Sequence, residues 1–248
     1  MFLLLDIGNT NTHVGLASKS RVLKQTDIPT AVWFGDSATR PLQGFVGSAE
    51  LEAASLCSVV PRATPLVRRV LKRKYSIECS ELTAKTVRGI TIKYPKPDTI
   101  GPDRLANALA ARRCFGAPAV VVDFGTAVTF DIVDSSGAYV GGIIAPGLAA
   151  MTDYLHEKTA LLPRIRVREI STVIGKSTQQ AMLVGAVHGY RGLIRSLIKE
   201  VQHELHTRAL PVIATGGYAR LMAAGLPEIT IVDPLLTIEG LRLFLTAQ

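Results

Sequence analysis

Residues 3–13 read Leu3-Leu4-Leu5-Asp6-Ile7-Gly8-Asn9-Thr10-Asn11-Thr12-His13, and residues 120–130 read Val120-Val121-Val122-Asp123-Phe124-Gly125-Thr126-Ala127-Val128-Thr129-Phe130. Aligning Asp6 on Asp123 also sets Gly8 on Gly125 and Thr12 on Thr129, at an offset of 117 in a chain of 248 residues. Each stretch is an apolar run, an Asp-x-Gly turn and a second strand-like run. The first predicts a hairpin of strands Phe2–Leu5 and His13–Ala17, with Gly8 and Asn9 tolerating the backbone angles of a sharp turn. The second predicts a buried strand from Ala119. A repeat at about half the chain length predicts a duplication, with one domain over residues 1–115 and another over 116–248. The short periods that mark solenoids are absent.

Outward from these turns, strand character is read at Gly44–Val46, Ala54–Val60, Gly141–Pro146 and Pro211–Ala214. Helices are read over Pro61–Tyr75, Leu105–Phe115, Ser177–Leu197 and Tyr218–Ala224. Ser135-Ser136-Gly137 reads as a hairpin turn. Strands followed by helices in both halves predict an α/β protein.

Hydrophobic residues make up 48% of the chain and charged residues 19%, with a mean hydropathy of +0.28, which excludes a disordered chain. No apolar stretch approaches the ~20 residues of a spanning helix, so no membrane is expected. Met1–Leu5 starts like a signal peptide, but Asp6 interrupts it and no basic segment precedes it, which predicts a cytoplasmic protein. Three cysteines, Cys57, Cys79 and Cys114, read as reduced, buried thiols. A net charge of +8 can serve nucleic acid, an anionic membrane or an acidic substrate, but the basic residues are dispersed along the chain, so nucleic acid is not expected as a partner. Their densest cluster, Arg68–Lys74, has helical spacing and reads as a solvated face.

The chemistry concentrates at glycines. A phosphate-binding loop needs glycine so that backbone N–H groups reach the oxygens, with small donors beside it. Asn9, Thr10, Asn11 and Thr12 supply these in one half, Thr126 and Thr129 in the other. Aspartates suit Mg²⁺ or K⁺, which prefer oxygen ligands. A third cluster, Thr215-Gly216-Gly217, closes a strand before a helix, where the helix dipole favours anions. Gly101-Pro102-Asp103-Arg104 sits in a breaker-rich loop before a helix. Asp103 there is either an N-cap or a general base, and Arg104 can pair with a carboxylate or phosphate. Gly175-Lys176-Ser177 lacks the earlier glycine of a P-loop, since position 170 is Ile170. The five histidines show no metal-binding spacing.

Two facing turns and a third glycine loop resemble the nucleotide cleft of the acetate/sugar kinase, heat-shock chaperone and actin superfamily. Within it the chain resembles type III pantothenate kinase. The resembling segments are Asp6–Thr10, Ser58–Pro61, Gly101–Arg104, Asp123–Thr129, Gly141–Gly147 and Thr215–Gly217, in family order along nearly the whole chain. The resemblance implies duplicated ribonuclease H-like (actin-like ATPase) domains with a cleft between them. It implies ATP-dependent phosphorylation of pantothenate to 4′-phosphopantothenate, the first step of coenzyme A biosynthesis. Asp103 matches the family's catalytic base, and pantothenate contacts the loop Gly101, Pro102, Asp103 and Arg104. Tyr94 and Thr178 match substrate contacts, although Ser177 stands where the family usually carries Asn. The stretch Asp6, Ile7, Gly8, Asn9, Thr10, Asn11, Thr12 and His13 matches the first phosphate loop. Thr126 matches an ATP contact, Gly216 and Gly217 line the same cleft, Asp6 would hold Mg²⁺, and Asp123 matches the ligand of K⁺ or NH₄⁺. Homodimers are implied, with substrate sites near the dimer interface.

Two alternatives stand beside this reading. A phosphatase of the exopolyphosphatase kind would use water as acceptor. A nucleotide-binding transcriptional regulator of the same fold would use the basic surplus for DNA. Otherwise that surplus predicts an electropositive cleft.

Overall fold

The computed structural model describes residues 1–35, 39–207 and 209–247. In chain order its elements are β1 (Phe2–Ile7), β2 (Asn11–Ala17), β3 (Val22–Pro29), α1 (Thr39–Val46), β4 (Ala53–Ser58), α2 (Thr64–Tyr75), β5 (Cys79–Glu81), β6 (Thr91–Ile92) and α3 (Pro102–Phe115). They continue with β7 (Ala119–Phe124), β8 (Ala127–Val133), β9 (Ala138–Pro146), α4 (Leu148–Lys158), α5 (Thr178–Val184), α6 (Tyr190–Glu204), β10 (Val212–Thr215), α7 (Ala219–Ala223), β11 (Ile231–Val232) and α8 (Leu236–Thr246).

One sheet has the order β3-β2-β1-β4-β5 and the other β11-β10-β7-β8-β9-β6. Leaving β6 aside, the second repeats the first. Each is an antiparallel meander of three strands followed by two strands parallel to the first of them. The apolar runs explain the centre. Leu3, Leu4 and Leu5 in β1, and Val120, Val121 and Val122 in β7, are fully buried on both faces, as a strand flanked by helical layers must be.

Pairing across the turns refines the repeat. Asp6 lies opposite His13, whereas Asp123 lies opposite Thr129. The first turn is therefore one residue longer, and Thr129 is the counterpart of His13 rather than of Thr12. The glycine has a different reason from the expected one too. Gly8 is not among the left-handed residues. Its N–H closes the turn onto the Asn11 carbonyl at 3.0 Å, and a Cβ would lie only 2.9 Å from that oxygen.

The halves are interlocked. Strand β6 precedes residue 116 yet pairs with β9 of the second sheet. Helix α8 returns from the second half to pack on β1 and β4, and α3 packs on both α8 and β7. Leu4, Ala106, Leu109, Val121, Leu236 and Leu241 consequently share one core. Helix α3 is buried all round from Leu105 to Ala111. The outer face of the first sheet is covered by α1, α2 and Trp33, that of the second by α6 and α7. Gly240 of α8 lets the two central helices touch, since a Cβ there would overlap the Ala106 carbonyl. Gly240→Ala is expected to destabilise the chain by about 1–3 kcal/mol as overpacking, read as a lower urea midpoint at unchanged slope.

Three expectations are corrected. Gly44–Val46 is the end of helix α1, not a strand; Leu42 and Val46, four apart, are its buried residues. The single helix over Ser177–Leu197 is α5 and α6 joined by a wide π turn at Gly185–Gly189. Cys57 and Cys79 are buried free thiols, but Cys114, in the last turn of α3, is exposed. The Arg68–Lys74 cluster does form a solvated face of α2, with Val67 and Leu71 beneath it. Among the described residues no helix is long and apolar enough to cross a membrane.

Candidate active site

The pleat of β1 and β7 carries Asp6 and Asp123 to the ends of the two central strands, just before the turns. The turns face each other across the halves, and the hydroxyls of Thr10 and Thr126 meet at 3.4 Å. Asn9, Thr10, Gly125 and Thr126 are exposed, while Asp6, Gly8, Asn11, His13 and Asp123 are half-buried. Ile7 and Thr12 support the turn from behind. Thr12 is fully buried, its hydroxyl accepting from Trp33 Nε1 at 2.8 Å and lying 3.1 Å from Thr30 Oγ1. Thr30 in turn donates to the Gly8 carbonyl at 2.6 Å.

The third glycine loop meets the second turn. Gly216 has φ +86°, and a Cβ there would lie 2.5 Å from Asp123 Oδ1. Only glycine fits both that backbone and that carboxylate. Gly217 is exposed beside open space. Gly147 backs the turn from the other side, where a Cβ would overlap the Thr126 carbonyl.

The loop at 101–104 starts helix α3. Gly101 is the N-cap and Pro102 opens the first turn. Asp103 is therefore not the N-cap, and its carboxylate accepts from the N–H of its neighbour Arg104, at 2.9 Å. Arg104 turns inward: Nε donates to Asp131 Oδ1 at 2.6 Å and Nη2 to the Phe130 carbonyl at 2.8 Å. Its guanidinium lies 5.9 Å from the Tyr139 ring centre, and the Tyr139 ring is 6.3 Å from that of Tyr94. Strand β6 delivers Tyr94 there, through the Lys93 N–H to the Tyr139 carbonyl at 2.8 Å. Thr178 opens α5 on the surface; among the described residues no side-chain hydrogen bond ties it to the others.

Charge decides what this cleft can do. Burial pushes the Asp6 carboxyl up to about 6, and the charge of Asp103 adds to this; His13 and the Cys57 thiol, 3.3 Å away, pull it down. Burial also lifts Asp123 to about 6, reinforced by Asp6 and Asp103. Asp103 is raised by burial against the Arg104 N–H and charge. His13 is pulled down by burial, but Asp6 and Asp27, the latter at 2.7 Å, raise it on balance. The cleft is thus acidic, and the expected electropositive lining is not found at these loops. Three half-buried carboxylates, with Arg104 and His13 as the opposing charges among the described residues, offer hard oxygen donors to a cation. Among the described residues no group of three or more His, Cys, Asp or Glu side chains is placed to hold a metal ion by itself.

The chain matches the family model of type III pantothenate kinase over residues 2–200. It is 46% identical to the type III pantothenate kinase of Methylacidiphilum infernorum (isolate V4) over 243 residues, 97% of this chain and 86% of the relative.

The chain belongs to the type III pantothenate kinase family.

As a member of it, the chain is a kinase that uses ATP to phosphorylate pantothenate. Solved structures bear out the actin-like fold of this pantothenate kinase. The ethanolamine utilization protein EutJ from Carboxydothermus hydrogenoformans superposes with a TM-score of 0.56 at 15% identity, covering 98% of this chain and 89% of its own. A Campylobacter jejuni protein described as a Baf family transcriptional activator superposes with a TM-score of 0.60 at 21% identity, covering 99% and 98%. That likeness is one of fold alone, and the relatives spanning the chain favour the kinase over the regulator.

Several residues of this pantothenate kinase site escaped sequence reading. Asn107 lies one helical turn after Asp103 and is the polar residue in an otherwise apolar run, a signal that was present. Asp131 follows Thr129 on the same face of β8, but a lone Asp in a strand points nowhere by itself. Cys57 and Thr237 reach the site only through tertiary packing.

Proposed function

We propose that Asp103 takes the proton from the primary hydroxyl of pantothenate as that oxygen bonds to the γ-phosphorus of ATP and ADP leaves. The observation that carries this is the carboxylate itself: raised by burial, free of any cap role, and set beside the inward-held Arg104. A base poised above the ordinary aspartate range holds a proton better in the transition state. Arg104 spends Nε and Nη2 on the protein, so it presents a fixed edge to the pantothenate carboxylate. Tyr94 borders the same space. The Asp6–His13 turn, Thr126 and the Gly216–Gly217 loop surround the ATP phosphates. Asp6 would hold Mg²⁺ and Asp123 a monovalent cation, K⁺ or NH₄⁺, with water and phosphate completing each shell. When bound, these ions neutralise the charge that builds on the transferring phosphoryl group. A reaction that draws on ATP fits a cytoplasmic enzyme.

The enzyme is further proposed to work as a homodimer. Among the described residues, seven of the eleven large exposed apolar side chains fall between Ile144 and Ile174, including Tyr154, Leu161 and Val173. Large exposed apolar side chains concentrated in one stretch of chain suit a partner surface, here a second copy of the chain. Leu161→Glu combined with Ile174→Glu is expected to give a monomer by sedimentation velocity, and wild type a dimer; a monomeric wild type would overturn the dimer. The function itself is tested by ATP consumption on pantothenate with and without K⁺. Turnover that needs both supports it; phosphate release without pantothenate would instead favour the phosphatase.

A further inference from the structure

Asn107 is buried between two carboxylates. Its Nδ2 donates to Asp131 Oδ2 at 3.1 Å and to Asp123 Oδ2 at 3.4 Å, so one NH₂ group spans both. The other oxygen of Asp131 accepts from Arg104 Nε at 2.6 Å. Thr237 of α8 donates to Asn107 Oδ1 at 2.7 Å, which fixes the end of the amide that faces the carboxylates. Gly142 leaves room for the assembly, since a Cβ there would overlap Arg104 Nη2 and the Phe130 carbonyl. A continuous line of hydrogen bonds therefore runs from Asp123, beside the second turn and Gly216, to Arg104 of the 101–104 loop.

Stability does not account for this line. Asp131 is fully buried, and burial lifts its carboxyl to about 7 although Arg104 and Asn107 oppose it. A packed apolar set of the same volume would fold as well or better.

We propose that Asn107, held in register by Thr237, is a positioning residue that couples occupancy of the nucleotide side at Asp123 to pantothenate binding at Arg104. The proposal rests on the assignment of those two sides given under the proposed function. When a cation or nucleotide complex meets the charge of Asp123, that carboxylate pulls less on Nδ2. The amide then closes on Asp131, and hydrogen bonds in a line of low dielectric strengthen one another. Asp131 holds the Arg104 fork more firmly for the substrate carboxylate. The effect is reciprocal by linkage.

Titration calorimetry of pantothenate tests this, with and without the non-hydrolysable analogue adenosine 5′-(β,γ-imido)triphosphate plus Mg²⁺ and K⁺. No turnover is involved. In wild type the analogue is expected to tighten pantothenate binding about tenfold, within the usual range of coupling. In Thr237→Val, which removes the hydroxyl and keeps the shape, the tightening falls to less than about twofold, whereas Thr237→Ser retains it. Asn107→Ala loses it as well, with melting curves confirming a folded chain. The proposal is overturned if wild type shows no tightening, or if Thr237→Val keeps all of it. Wild type that binds no pantothenate under any condition overturns instead the functional assignment on which the coupling rests.

Discussion

Asp103→Asn is expected to fold as wild type does and to lose about two to four orders of magnitude in kcat, the usual contribution of a positioned general base. The carboxylate accepts the first-turn N–H of Arg104, a bond the Asn amide oxygen can keep, and among the described residues it forms no salt bridge, so the neutral amide removes little from the fold. It also relieves the like charge that Asp103 imposes on Asp6 and Asp123. The pantothenate KM should change far less than kcat, because Arg104 keeps its anchors on Asp131 and Phe130. In wild type, kcat/KM should fall on acidification at a pH above the ordinary aspartate value of about 3.9, and Asp103→Asn should lose that limb. Matched circular dichroism with a steady-state ATP assay across pH checks all four. Turnover close to wild type would remove Asp103 from the role of base.

Asp123→Asn should make the ligand-free chain more stable at pH 8 and leave it unchanged near pH 4. A carboxyl raised from 3.8 to about 6 by burial, Asp6 and Asp103 holds its proton better in the folded than in the unfolded chain. Its favourable contribution is complete below 3.8 and is lost as pH rises through about 6. Above that, the folded chain carries a penalty of order 1–2 kcal/mol after allowance for partial exposure, since each pKa unit is worth about 1.4 kcal/mol. The amide removes it, and melting temperature should rise by roughly 2–6 °C at pH 8 for a chain of this length. Adding K⁺ to a tetramethylammonium buffer should raise the melting temperature of wild type at pH 8 but not that of Asp123→Asn. A variant less stable than wild type at pH 8 would show that Asp123 is already neutralised within the protein.

Much of this was legible in the residues. The two Asp-x-Gly turns predicted both central hairpins and their duplication, because apolar runs broken by Asp and Gly restrict the backbone strongly. The order Asp6, Asp103, Asp123 and Gly216 led to groups that the fold does gather at one cleft. Other features depended on partners distant in sequence. Gly44–Val46 is too short for its period to separate strand from helix. By sequence Thr12 reads as a phosphate donor, whereas its hydrogen bonds with Trp33 and Thr30 make it part of the core. The acidity of the cleft arises where three aspartates from separate elements converge, while the net positive charge is spread over outer surfaces such as α2.

Helix α8 gives the chain an order of assembly. The inner face of the first sheet is closed by residues 236–246, and Ser55 of β4 donates to the Leu241 carbonyl at 3.1 Å. On the ribosome, the amino-terminal sheet therefore stays open along Leu4 and Ala17 until α8 clears the exit tunnel. Folding of the two halves must finish together, and a nascent chain stalled before Leu236 would present that apolar face to chaperones.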